Sequence, residues 1–295
     1  MTTIAPLDHP SPTATDGPRP VATTLTVLEP PRGWQVINAS ELWKARELIF
    51  FLAWRDVKVR YKQTALGAAW AILQPLMMMV VFSIFFGRMA GVPSGGVAYP
   101  LFVLSGLLPW TFFAAAVTSA GNSVVGSERL ITKIYFPRLA VPLASVGAAV
   151  VDFAVACFLL GIMMAWYGAR PGPGLVLAPL AFGLIALLAL GLGTLLAALN
   201  VAYRDFKYMI PFLMQIGMFA TPTVYMDPSA AAPGRYAWLL ALNPMTTLVA
   251  SFRSAVLGGP IAWGPLALAA AASGVVFFVG CLYFRRVEDS FADVI

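Results

Sequence analysis

The sequence predicts an all-α membrane protein: six transmembrane helices, an amphipathic helix at the membrane interface before them, and short re-entrant helices near the end. Three observations predict it. Of 295 residues, 60% are apolar and 11% charged, with a mean hydropathy of +0.81, which excludes an ordinary soluble domain. Six apolar stretches, each suited to a hydrocarbon core of about 30 Å, are separated by polar loops. Lys and Arg sit at the flanks of those stretches and crowd onto one side.

Residues 1–37 are expected to be a disordered cytoplasmic tail, rich in Pro, Thr and Ala and without an apolar core or secretory signal. The sole histidine, His9, lies in it. Residues 38–65 form the interface helix. Ser40 can cap its start and Glu41 suits the positive end of its dipole. The segment ELWKARELIFFLAWRDVKVRY is too charged to span the bilayer but suits a helix in the headgroup plane. Its end carries Arg55, Lys58, Arg60, Tyr61 and Lys62, either a simple topogenic anchor or a surface that contacts lipid headgroups.

Residues 66–284 hold the spans. The first, Leu66–Phe86, has no charged residue and makes about 31 Å of helix. The second is Tyr99–Ala120, with a kink expected at Pro109, and the third is Leu139–Tyr167. The fourth is Leu175–Leu199, the fifth Tyr208–Tyr225 and the sixth Pro265–Phe284. Between the last two, Asn243-Pro244 splits residues 227–260 into pieces too short to cross, expected as re-entrant helices on the outer side. Residues 285–295 close the chain as a second cytoplasmic tail. With six spans, fifteen of the nineteen Lys and Arg fall on the side of the termini, and Arg88, Arg170, Arg235 and Arg253 fall opposite. That bias places both termini in the cytoplasm. The same flanking positions account for the net charge of +6 through topology and anionic lipid, without a nucleic-acid partner.

The five lysines follow Trp43, Val57, Tyr61, Thr132 and Phe206, so no glycine precedes a lysine as a phosphate-cradling loop requires. Cys157 and Cys281 lie far apart in apolar runs and suggest neither a disulfide nor a metal site. An enzyme reading is therefore weak, and uphill transport would draw its energy from a partner or an ion gradient.

Asp152 is the one acid within a span, a proton site or else a structural hydrogen-bonding group. Trp70, Gln74, Met77, Val81 and Phe85 share a face of span one, as do Phe212, Gln215 and Phe219 on span five. Those faces serve packing and lipid contact, or line a path on which sugar rings stack. The loops ERLITKIYFPR and YRDFK set charge beside aromatic groups, as a docking surface for a soluble partner would.

These segments resemble the transmembrane subunits of type-2 ABC exporters, specifically the polysaccharide and polyol-phosphate export permeases. The resemblance spans about residues 41–290. It is carried by RYKQTALGAAWAILQP (Arg60–Pro75), YPLFVLSGLLPWTFF (Tyr99–Phe113), the run Leu130–Pro142, NVAYRD (Asn200–Asp205) and Asn243–Arg253. It implies a homodimer with two separate ATPase subunits, which bind ATP and Mg so that this chain holds no cofactor of its own. It implies ATPase coupling through residues 122–138, with Glu128, Arg129, Lys133, Tyr135, Phe136 and Arg138, and through Tyr203, Arg204 and Asp205. Arg55, Lys58, Arg60, Tyr61 and Lys62 would lie near the substrate headgroup, and Asn243, Pro244 and Arg253 in a periplasmic gate. The aromatic faces of spans one and five would line the path of a lipid-linked glycan of O-antigen, lipopolysaccharide or capsule type across the bacterial inner membrane. Export of teichoic acid or a drug-like lipid is the alternative within transport. A gradient-driven transporter predicts internal repeats and several intramembrane charges, which the sequence lacks. A membrane transferase needs a base or metal-ligand cluster that is equally missing.

Overall fold

The computed structural model describes residues 39–62, 69–223 and 242–291. The expected N-terminal tail, residues 63–68, residues 224–241 with Arg235, and residues 292–295 lie outside the described residues. Every described element is helical. The order is α1 (Ala39–Lys44), α2 (Arg46–Lys62), α3 (Ala69–Phe82), α4 (Tyr99–Gly126), α5 (Glu128–Ile131), α6 (Ala140–Ser145), α7 (Gly147–Trp166), α8 (Ala178–Ala202), α9 (Phe206–Ala220), α10 (Pro244–Leu257) and α11 (Trp263–Val287). A π-helical segment, Ser83–Met89, prolongs α3, and 3-10 turns precede α8 and follow α11.

α4 is the hub. It packs on α8, α7, α6, α10 and α3, and 72% of its apolar window is buried, against 6% for the α3 window. Pro109 stands inside it without interrupting the helix. α8 joins α4 to α11 through small residues. A Cβ on Gly193 would stand 2.6 Å from the Ala120 methyl, and one on Gly191 2.5 Å from the Phe277 backbone. Lipid tails are as apolar as the helices, so close backbone approach holds the bundle more than hydrophobic burial does.

Among the described residues, five helices are long and apolar enough to cross a membrane: Ala69–Met89, Tyr99–Gly126, Ala140–Trp166, Pro173–Ala202 and Trp263–Val287. The expected fifth span is shorter than its sequence suggests. α9 stops at Ala220 after 15 residues, about 22 Å of helix. Pro222 is the reason: it drives the preceding Thr221 out of the helical region, to φ −113° and ψ 124°.

Ser40 lies inside the first described turn instead of ahead of it. α1 and α2 break at Ala45. α2 carries apolar side chains on two sides: Leu52 is buried against the bundle, while Phe50, Phe51 and Trp54 are exposed. α10 enters the protein core, with Leu248, Val249, Phe252 and Ala255 buried. It ends on Gly258, whose φ of 80° closes the left-handed cap.

Both ends of the described chain meet at one end of the bundle. Ile131 and Phe291 share a cluster with the last turns of α4, α8 and α11, and Leu42 packs on it. Phe291 is fully buried and meets Phe284 edge-on at 5.2 Å. Arg285 ties the two ends electrostatically, reaching Glu41 at 3.7 Å and Glu288 at 3.3 Å.

Candidate functional site

The last turn of α2 reaches α7 through Arg60 and Tyr61. The Arg60 guanidinium pairs with one carboxylate oxygen of Asp152, and the Tyr61 hydroxyl donates to the other. These groups line a cavity of about 390 Å³ whose walls include Trp70, Gln74 and Thr111. Burial, then the hydrogen bond to Asp152, raises the Tyr61 phenol to about 12. It therefore keeps its proton and remains a hydrogen-bond donor throughout the physiological range. A second cleft of about 430 Å³ lies on the far side of Arg60, between α2 and the ends of α4 and α6, with Arg55, Asp56, Asn122 and Ser145 on its walls. α2 is seated between the two by Leu52 and by Ala53, which lies so close to Gly147 that a Cβ there would stand 2.8 Å from the Ala53 methyl.

Elsewhere on α2 the basic groups have local partners. Arg55 pairs with Asp56 at 2.9 Å. Lys58 stands 5.6 Å over the Trp54 ring, which stacks on Phe50. Lys62 is exposed.

The α5 loop and the α8–α9 loop leave the bundle at the same end, because Asn200 of α8 donates to the Gly121 carbonyl of α4 at 3.0 Å. Glu128, Arg129, Lys133, Ile134 and Tyr135 are exposed on the first loop, and Tyr203, Arg204 and Asp205 on the second. Phe136 departs from the rest. It turns inward onto the Ile131–Phe291 cluster, and Arg138 is partly buried beside Glu288. Burial raises the Glu288 carboxyl above the ordinary carboxylate range, against the pull of Arg285.

At the opposite end, Asn243 joins α9 to α10. Its side chain accepts from the Met245 amide at 3.0 Å, capping α10, and donates to Thr221 Oγ1 at 2.9 Å. Pro244 follows at the first helical position. The buried Arg253 of α10 donates to the Thr223 carbonyl and lies 3.9 Å over the Phe102 ring. Gly106 makes room for it, since a Cβ there would overlap both the guanidinium and that carbonyl. Two side chains of one helix thus hold the carbonyl end of another.

Residues 47–257 match the ABC-2 type transporter family. The chain belongs to that family. It is 29% identical over 258 residues to the O-antigen export system permease protein RfbA of Myxococcus xanthus, covering 86% of this chain and 98% of that protein. A Klebsiella pneumoniae protein of the same name is 24% identical over 251 residues, with 84% and 95% covered. The polysialic acid transport protein KpsM of Escherichia coli is 24% identical over 242 residues, with 80% and 92% covered.

In this ABC-2 chain, Trp70 and Gln74 join Arg60 and Tyr61 in one cavity, whereas Met77 and Phe85 lie exposed further along the α3 span. Phe212, Gln215 and Phe219 are exposed on α9, where only Ile210 is buried. Sequence reasoning missed the partners of Asp152, because Arg60 and Tyr61 precede it by 92 and 91 residues. It also missed Thr111, Gly106 and Asn122. Gly106 had no signal beyond being a glycine in an apolar run. Among the described residues no cluster of three metal-ligating side chains occurs.

Proposed function

We propose that the chain is the permease half of an ATP-driven exporter that carries a lipid-linked surface polysaccharide, of the O-antigen or capsule class, across the bacterial inner membrane. The near end-to-end correspondence with permeases named for O-antigen and polysialic acid transport carries this reading. α9 supplies the sixth crossing, and both termini are cytoplasmic. Two copies pair, each with an ATPase subunit that binds ATP and Mg. Gln215 supports the pairing. It lies exposed on an apolar helix with no hydrogen-bond partner among the described residues, and such an amide in hydrocarbon seeks a partner helix.

The loop end that presents Tyr135 and Tyr203 takes the ATPase. Arg60, Tyr61 and the lysines of α2 receive the lipid-linked headgroup, Trp70, Gln74, Met77, Phe85, Phe212, Gln215 and Phe219 border the path, and the Asn243–Arg253 junction gates the outer end. A strain lacking the gene tests the reading. It loses the surface glycan and accumulates the lipid-linked polymer inside, and the intact gene restores both. Unchanged surface glycan and no internal intermediate would refute it.

A further inference from the structure

We propose that Asp152 is an internal counter-ion which occupies the Arg60 site and is exchanged for the phosphate of an incoming lipid-linked headgroup. The inference rests on the export reading and assigns a regulated ligand exchange to its inner cavity. In the described state the cavity is closed electrostatically from within. Arg60 is neutralised by Asp152, and on the next turn back Arg55 is neutralised by Asp56. The basic cluster that would attract an anionic lipid therefore presents its two arginines already occupied.

The pair is placed for exchange. A permanently structural pair is sealed by packing, whereas here the Arg60 and Asp152 side chains retain 38% and 30% of their exposure and face an open cavity of about 390 Å³. A partly exposed ion pair of this kind is weak. A phosphate brings more negative charge and more acceptor oxygens, in the geometry a guanidinium binds in two-pronged fashion. When phosphate takes Arg60, the displaced carboxylate loses its counter-ion but keeps a donor in the Tyr61 hydroxyl and its exposed share of the open cavity. Gln74 and Thr111 on the same walls add neutral hydrogen-bonding groups for the arriving headgroup. The exchange also changes a contact between helices. The arginine that leaves Asp152 is one of two polar links between the last turn of α2 and α7, the Tyr61 hydroxyl being the other, while Leu52 and the Ala53–Gly147 contact keep the rest of α2 seated. Headgroup arrival is thereby read as the loss of one of the two polar contacts that join α2 to α7.

The test is equilibrium binding to the full-length permease in phosphatidylethanolamine nanodiscs, with a polyprenyl phosphate as probe. Arg60→Gln weakens binding about tenfold, Asp152→Asn tightens it about three- to tenfold, and the double variant binds like Arg60→Gln alone. Asp152→Ser, which leaves Tyr61 an acceptor without the charge, gives the same tightening and replaces Asp152→Asn should that variant not fold. If Arg60→Gln weakens binding while both Asp152 variants bind as the wild type or worse, the exchange is wrong and the headgroup site stands. If Arg60→Gln changes nothing, the headgroup site itself is wrong and the exchange falls with it. Inorganic pyrophosphate, titrated as a competitor, binds at least about a hundredfold more weakly when the lipid is the ligand. Equal affinity would overturn the lipid source.

Discussion

Asn200 is nearly fully buried, and its amide donates to the Gly121 carbonyl and to Asn122 Oδ1 at 3.2 Å. Asn200→Leu should cost about 1–3 kcal/mol, since it removes both bonds and places a larger apolar group against the carbonyl. Thermal unfolding of the detergent-solubilised protein measures the loss. Glu288 supplies a pH test. Its folded-state carboxyl titrates above the ordinary range, so its contribution is fully present at low pH and is lost as the pH rises through the raised value. The unfolding midpoint should therefore fall as the pH rises from the ordinary carboxylate range through the raised value, and Glu288→Gln should flatten that fall. At this scale the sequence was legible for residue types and illegible for pairings. Arg60 and Tyr61 stood out in a basic cluster and Asp152 as a lone acid, and only the tertiary fold brings them together. Phe136 was read as exposed with Tyr135, yet a loop turn divides them, because apolar partners across the bundle outweigh their adjacency.

At the scale of elements, α10 depends on its cap. Asn243→Ala removes the bond to the Met245 amide, worth about 1 kcal/mol, and the bridge to Thr221. It should lower export while the protein still reaches the membrane, as glycan transport and membrane fractionation together would report. The α8–α11 contact is less forgiving. A Cβ on Gly280 would stand 2.9 Å from Thr194 Oγ1 and overlap the Gly191 carbonyl. Gly280→Val should therefore abolish folded protein, visible as loss of the monodisperse peak in size-exclusion chromatography. Span positions were legible wherever hydropathy ran unbroken, as in α4, α8 and α11. The length of α9 was not read correctly, because the Thr221-Pro222 signal is local and an apolar run continues past it. The helix propensity of α2 was legible, but its two apolar sides were not. One meets α6 and α7, and the sequence alone does not say which neighbours a helix will have.

At the scale of the molecule, the two charged loops, Ala39 and Phe291 converge on one end of a helical bundle, and the Asn243–Arg253 junction on the other. That polarity was foreshadowed by the asymmetry of Lys and Arg, a signal that needs no tertiary contact. The proposed pairing of chains has no such signal, since an apolar face toward lipid and one toward a second copy are written in the same residues. Under the proposed function the bundle is driven at the loop end by a bound ATPase. The direct measurement is labelling of Tyr135→Cys, in a Cys157→Ser/Cys281→Ser background, with a membrane-impermeant maleimide. Labelling is expected in inverted inner-membrane vesicles, with protection when the ATPase is bound, and none in intact cells whose outer membrane has been permeabilised. Labelling from the outer side of those cells, or full labelling in vesicles with the ATPase bound, would contradict it.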